Sequence, residues 1–475
     1  MFTVPQSNHP NVLVLMCDQM QHSRMNFIDP IAHTPFLNDL AAESVYFKNA
    51  YTCHGQCVPA RAAFQTGLYP HECGVMVIYG FHGHGARLTP KYQTLGHCFK
   101  EAGYQTAYFG KTHFGVPLDQ LGYDTGVEHT PIDDDEAERL GTRHVPKPLR
   151  PEYRACDQTV DFLRSYQPSD KPLFLTFSTN LPHPPFFTEP RWAERFRATE
   201  LDLAPSYYEE TFAYKPLFQK EHALDGNHGA LDELEQRREL AQYYTMIAEM
   251  DSHFARIRAE YERLGLWEDT VVLFIADHGD MMGDHHHWRK TYAYEGSARI
   301  PFIVRYPTSW DMPRGETVEA PVELRDIMPT MLDAAGVDIP DSVDGQSLLP
   351  LARGQRDNWR TFVQGEHTSC YTREHGMQYV TDGREKYIWF HHTGGEQFFD
   401  LVSDPGESYD LAADPSQQDR IDRWRKRLAQ INEERGDPRG QNGVLVAQPD
   451  GALALSPNYK RWKARAEEME RAWRG

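Results

Sequence analysis

The chain has no excess of positive charge, no long hydrophobic run and few cysteines. Against 69 Asp and Glu stand 49 Lys and Arg, a formal net charge of -20. That balance argues against nucleic acid or an anionic membrane as a partner, since both need a cationic face. An anionic small molecule stays compatible, because a local positive pocket can sit in an acidic protein. No stretch approaches the roughly 20 apolar residues of a membrane span. The start, "MFTVPQSNHPNVLVLMCDQ", lacks a basic region, and its apolar run "VLVLM" is too short for a signal peptide. The seven cysteines are odd in number and scattered, with no C-x-x-C. They argue against a disulfide framework and for a reducing compartment, read here as the cytoplasm. Internal repeats are absent as well.

What is present reads as a soluble globular enzyme of 475 residues, enough for one large domain and a smaller one. "NVLVLMCD" is a β-rich apolar run ending in an acid, the pattern of a buried strand delivering Asp18 to its C-terminal edge. "TPFLNDLAAESVYF" opens with Thr-Pro and has helical spacing. "YQTLGHCFKEAGYQTAYFGKTHFG" reads as helix, Gly stop, strand, then a loop with Lys111 and His113. "KPLFLTFSTNLPHPPF" is a buried strand and a Pro-rich loop holding His183. A long amphipathic helix in "LAQYYTMIAEMDSHFARIRAEYERLG" leads to a strand ending at Asp277-His278, and "SARIPFIVRYP" is one more strand. Strands alternating with helices imply an α/β fold with a large, mostly parallel sheet sandwiched by helices. In such sheets the site lies beyond the carboxyl ends of the strands.

After about residue 355 the pattern changes to short antiparallel strands ("TFVQGEH", "GMQYVTD", "KYIWFHH", "EQFFDL") and a charged helix, "PSQQDRIDRWRKRLAQINEER". The expected organisation is a catalytic domain over 1–355 and a smaller α+β unit with an antiparallel sheet over 356–475. The last stretch, from 436, is a polar tail with one helix and a candidate contact in a homo-oligomer. Residues 115–155 and 184–238 show no clear periodicity and read as lids or substrate loops.

Asp18, Asp277 and His278 are hard or borderline ligands at strand ends, a set suited to Ca²⁺, Mg²⁺ or Mn²⁺. A single strand-end Asp would read as a turn residue; two with an adjacent His favour a metal. The tract "DHHHWRK" is expected to be a solvated loop of His285, His286 and His287. Taken singly, Arg61, Lys111 and Lys290 could be surface charges. With a metal they would form a cationic pocket for a tetrahedral oxyanion. In "HGQCVPARAAFQTG", Cys57 precedes a helix expected to begin near Pro59, with Arg61 one turn on. Taken alone, that is a buried cysteine and a surface arginine.

"CVPARAAFQTG" resembles the signature of the type I sulfatases, C-x-P-x-R followed by T-G, within the alkaline phosphatase superfamily. "VLVLMCDQ", "HTPFLNDLAAESVYFKNAYT", "GKTHFG", "LPHPPF", "ADHGDMMGDH", "KTYAYEGSARIPFIV" and "REKYIWFHHTGGEQFFDLVSDPGESYDLA" resemble further blocks in the family's order, over residues 11–412. The resemblance implies hydrolysis of a sulfate monoester, with Cys57 oxidised to formylglycine by a formylglycine-generating enzyme. It implies Cys57, Asp18, Asp277 and His278 as ligands of one divalent ion, Ca²⁺ foremost. Arg61 would hold the formylglycine hydrate, Lys111 and Lys290 the sulfate oxygens. His113 would contact the formylglycine hydroxyl, and His183 would serve the ester oxygen as proton donor. The substrate would be a small-molecule or saccharide sulfate ester. Gln19, where many sulfatases carry an acid, and His278, where many carry Asn, resemble instead the phosphonate monoester hydrolase branch. That branch, acting on phosphonate monoesters or phosphodiesters, is the runner-up. An unmodified Cys57 would leave a silent sulfate-ester binder.

Overall fold

The computed structural model describes residues 9–77, 87–88, 92–129, 150–168, 171–186, 194–209, 215, 219, 232–367 and 373–449. The sheet is built around β1 (Asn11–Cys17), seven residues without polar alternation and buried throughout. A strand of that kind must be covered on both faces. The others are β2 (Val45–Phe47), β4 (Gln105–Gly110), β5 (Thr125–Glu128), β6 (Leu173–Ser178), β7 (Thr270–Ala276), β8 (Phe302–Arg305) and β9 (Glu316–Val318). Their order is β5-β4-β6-β1-β7-β8-β2-β9. A small pair, β3 (Ala50–Tyr51) and β10 (Val322–Glu323), lies beside it.

Five neighbouring strands, β5 to β7, run parallel. β8 departs from that pattern and runs antiparallel to both β7 and β2. The reason is the connection. No long helix returns the chain across the sheet between Ala276 and Phe302. The chain therefore re-enters from the edge it left, which reverses the strand.

Helices cover both faces, and β6 shows how. Side chains alternate along a strand, so Phe174 and Phe177 point to opposite sides. Phe174 stacks on Phe99 of the Leu95–Glu101 helix, centroids 4.2 Å apart, while Phe177 meets Phe254 of the long Glu233–Arg263 helix at 5.9 Å. That long helix begins inside the stretch read as aperiodic. Its first turns, "ELEQRRE", are too polar to show a face, but a capping box starts them. Glu235 N donates to Asp232 Oδ1 at 2.8 Å, and Asp232 N to Glu235 Oε2 at 3.0 Å. The Pro151–Ser165 helix likewise begins inside the first aperiodic stretch, with proline in its first turn.

β11 (Val363–His367), β12 (Met377–Thr381), β13 (Glu385–Phe390) and β14 (Gly395–Asp400) form an antiparallel meander. Tyr387 and Trp389 face the Gln418–Glu434 helix through Trp424 and Leu428. Ile388 and Phe390 share a core with Tyr51, Met281, Tyr292 and Tyr294 of the larger part. We propose residue 355 as the boundary between two units that share this core. Beyond 436 the described residues form a short hairpin, Gly440–Gln441 with Val444–Leu445. The expected terminal helix lies outside the described residues.

The histidine tract is not a solvated loop. His285 and His287 are buried, His287 stacked on Tyr292 at 4.3 Å and His285 tilted on Tyr294 at 4.6 Å. Partners five and nine residues further on supply flat apolar surface that the tract's own composition does not announce.

Candidate active site

Adjacent parallel strands end side by side, and their next residues converge. Asp18 follows β1, Asp277 and His278 follow β7, and Lys111 follows β4. His183 lies on the loop after β6. Gly110 makes one of these exits possible. Its φ is +106°, and a Cβ there would sit 1.9 Å from the Ser178 carbonyl oxygen. Only glycine tolerates that approach, and Lys111 N then donates to the same oxygen at 2.8 Å.

Residue 57 faces this edge from a helix. The helix spans Cys57–Thr66, two residues earlier than expected. Pro59 falls within the first turn, where its missing N–H costs nothing. Cys57 therefore stands at the positive end of the helix, as its first residue. The unmodified thiol occupies the place where a formylglycine's oxygens would lie. Its Sγ is 3.0 Å from Lys290 Nζ, 3.2 Å from His278 Nε2, 3.7 Å from Asp18 Oδ1 and 3.9 Å from Lys111 Nζ. Burial and Asp18 push the thiol up. Lys111, Lys290 and His278 outweigh them and hold it well below its usual value. The site favours an anion at this position.

Arg61 is fully buried, and its hydrogen bonds go to the scaffold. Nε donates to Asp277 Oδ2 at 2.8 Å, and Nη1 to the Lys111 carbonyl and Ser178 Oγ at 2.9 Å each. Nη2 lies 3.4 Å from Asp18 Oδ2. The guanidinium thus fixes both carboxylates and the Lys111 turn; the structure gives it no hydrogen bond to Cys57. Lys111 also pairs with Asp18. Lys290 bridges His183 Nε2 at 2.9 Å and Gln19 Oε1 at 2.8 Å. His183 Nδ1 meets the Pro184 carbonyl. An ammonium only donates, so Nε2 accepts from Lys290; burial and Lys290 hold the imidazole well below its usual value. His113 is half-buried on the loop after Lys111, at φ +56°.

Asp18, Cys57, Asp277 and His278 present ligand atoms that all lie within 4.8 Å of one another, and all four residues are buried. The donors fit a divalent cation. His278 Nδ1 is 2.9 Å from the Gly279 carbonyl, which takes its N–H, so that Nε2, on losing its own proton, is the ligand atom toward the two acids. Burial and the Asp18 charge push Asp277 up, a repulsion that a bound cation removes. Among the described residues, the histidine tract joins no such group.

Gln19 and Asp280 also belong to this edge, and sequence reasoning assigns neither a role. Gln19 registers only as a departure from the family pattern, and Asp280 only as the last residue of "ADHGD". Their contact joins segments 261 residues apart.

The sulfatase family model matches residues 10–337, and that for the C-terminal part of N-sulphoglucosamine sulphohydrolase matches 283–434. An arylsulfatase of Clostridium perfringens is 31% identical, over 94% of this chain and 99% of its own. The multifunctional alkaline phosphatase superfamily protein PehA of Trinickia caryophylli is 27% identical, over 86% and 92%. The phosphonate monoester hydrolase of Agrobacterium radiobacter shares the fold, with TM-score 0.75 at 23% identity over 90% and 96% of the two chains. With a family match over most of its length and a 31% identical arylsulfatase along nearly all of it, the chain belongs to the sulfatase family.

Proposed function

We propose that this sulfuric ester hydrolase cleaves a sulfate monoester at residue 57, with Cys57 matured to formylglycine. The observation that carries the reading is the pair of ammonium groups, Lys290 at 3.0 Å and Lys111 at 3.9 Å, on a buried helix-start residue beside two acids and an imidazole. A hydrated aldehyde offers one hydroxyl as nucleophile and a second that lets the sulfated residue release its product, which a plain alcohol lacks. A cation held by Asp18, Asp277, His278 and residue 57 would supply Lewis acidity toward the sulfate and the hydroxyl. The chain's own groups do the rest. Lys111 and Lys290 meet the sulfate oxygens, and Arg61 keeps the acids in place. His183, whose Nε2 is 2.9 Å from Lys290 Nζ, would serve the departing alcohol as proton donor. The proposal includes Ca²⁺ as the ion, a formylglycine-generating enzyme for maturation, and a sulfated small molecule or saccharide as substrate.

Lys111 separates this reading from the runner-up. A phosphonate carries carbon where a sulfate carries oxygen, so it offers fewer acceptors to Lys111. An aryl sulfate should be a better substrate than the matching aryl phosphonate by kcat/KM. Lys111→Ala should lower the sulfate reaction about a hundredfold, the scale of losing one oriented donor to a developing oxyanion, and the phosphonate reaction less. A better phosphonate reaction, with equal losses for both, would replace this reading by the phosphonate or phosphodiester one, which Gln19 and His278 favour.

Cysteine chemistry tests the compartment. The six described cysteines are all unpaired and buried. In a reducing cytoplasm all seven stay unpaired, and maturation consumes one. Thiol titration of the denatured, unreduced protein should therefore find six. A count near zero would overturn the cytoplasmic proposal.

A further inference from the structure

We propose that Gln19 and Asp280 form a positioning pair that aims the Lys290 ammonium at residue 57, and that position 19 carries an amide because Asp280 stands beside it. The inference rests on the sulfatase reading for what Lys290 contacts. The pair itself comes from hydrogen-bond chemistry. Gln19 Nε2 donates to Asp280 Oδ2, and Gln19 Oε1 accepts from Lys290 Nζ at 2.8 Å. A carboxylate only accepts, and an ammonium only donates. Between them an amide has one satisfactory orientation, nitrogen toward Asp280 and oxygen toward Lys290. All three side chains are buried, so no solvent offers an alternative partner.

Asp280 is itself fixed. Its Oδ1 accepts from Met282 N at 2.9 Å and Arg289 N at 2.8 Å, clasping both ends of the excursion that delivers Lys290. Its carbonyl accepts from Gln21 Nε2 at 2.6 Å. The carboxylate thus sets the position of Lys290 twice, through the backbone of Arg289 and through the amide of Gln19. An acid at position 19 would still accept from Lys290 but would set carboxylate against carboxylate in a buried place. An acid at position 19 should therefore cost this chain rate and sulfate affinity unless residue 280 changes as well.

The test is a double-mutant cycle in matured enzyme, with Gln19→Glu, Asp280→Asn and the two combined. The readouts are kcat and KM for an aryl sulfate, the Kd of inorganic sulfate by calorimetry, formylglycine and metal content, and Tm. Each single change should lower kcat and weaken sulfate about 10- to 100-fold, the range for a small misplacement of an aimed group. Formylglycine content should be unchanged. In the double variant the amide now at position 280 donates to the carboxylate now at position 19, which accepts from Lys290. At least about tenfold should then return relative to the worse single variant. Losses that simply multiply would overturn the proposal. So would a folded Asp280→Asn protein with wild-type sulfate affinity and kcat, which decides the matter even if Gln19→Glu does not fold. Sulfate binding is read without turnover. A wild-type protein that binds sulfate but hydrolyses no aryl sulfate would sink the sulfatase reading and leave the pair to be judged on affinity.

Discussion

Replacing Cys57 by alanine should reduce turnover of an aryl sulfate by at least about 10⁴-fold, the scale of removing a covalent nucleophile. The expectation comes from placement. Residue 57 is 1% exposed at a helix start, with two lysines, an imidazole and an acid around its Sγ. Two ammonium groups converge on this one sulfur, the arrangement an anionic substrate needs at a nucleophile. Because alanine is smaller than cysteine and suits a helix, the fold should survive, and an unchanged Tm would show that it does. The companion measurement is the mass of the peptide carrying residue 57 from a host with the maturation enzyme. It should show an aldehyde in place of the thiol. Fully active protein whose peptide is entirely thiol would refute the formylglycine mechanism. Inactive protein with an intact thiol that still binds sulfate esters would mark a silent binder.

The second large effect is expected at Asp277. Its carboxylate accepts from Arg61 Nε at 2.8 Å, from His278 N at 3.0 Å and from Gln19 N at 3.1 Å, and it is one of the four grouped ligand residues. Asp277→Ala should abolish tight binding of the divalent ion and lower kcat/KM by about 10³-fold or more, since a cation at the reacting centre supplies several kcal/mol. It also leaves the Arg61 charge buried with one partner fewer, so Tm should fall. Asp277→Asn separates the two effects, because it keeps the shape and an oxygen acceptor for Arg61. Metal content by elemental analysis and kcat/KM should fall in both variants, and Tm more in the alanine one. Chelation of the wild-type protein should abolish turnover, and adding back Ca²⁺ should restore it. Undiminished activity in a metal-free preparation would show that the ligand assignment is wrong.

Strand ends were legible in the sequence because the signal is local. "NVLVLMCD" and "TVVLFIADH" each announce a buried strand and the acid at its end, and the geometry of parallel sheets places such residues at one edge. The antiparallel meander was legible for the same reason, since each strand carries its own alternation and turn. Helix starts were less so. Proline suggested a start at residue 59, while the backbone turns helical at Cys57. The long helix was legible from Leu240 onward, but its polar first turns, from Glu233, show no apolar spacing and hid its start.

By itself, then, the sequence determined which chemical groups stand at the carboxyl edge of a buried sheet and that their order matches one family, because strand patterning, turn residues and motif spacing are properties of contiguous chain. Only the tertiary structure decided that β8 runs backwards, that His285 and His287 are buried under tyrosines, that Arg61 bonds the scaffold, and that an amide at position 19 meets a carboxylate at position 280. Each of these depends on which distant segment arrives alongside. Burial then makes the encounter decisive, since a buried polar group must find its partner within the protein or bear the full cost of leaving water.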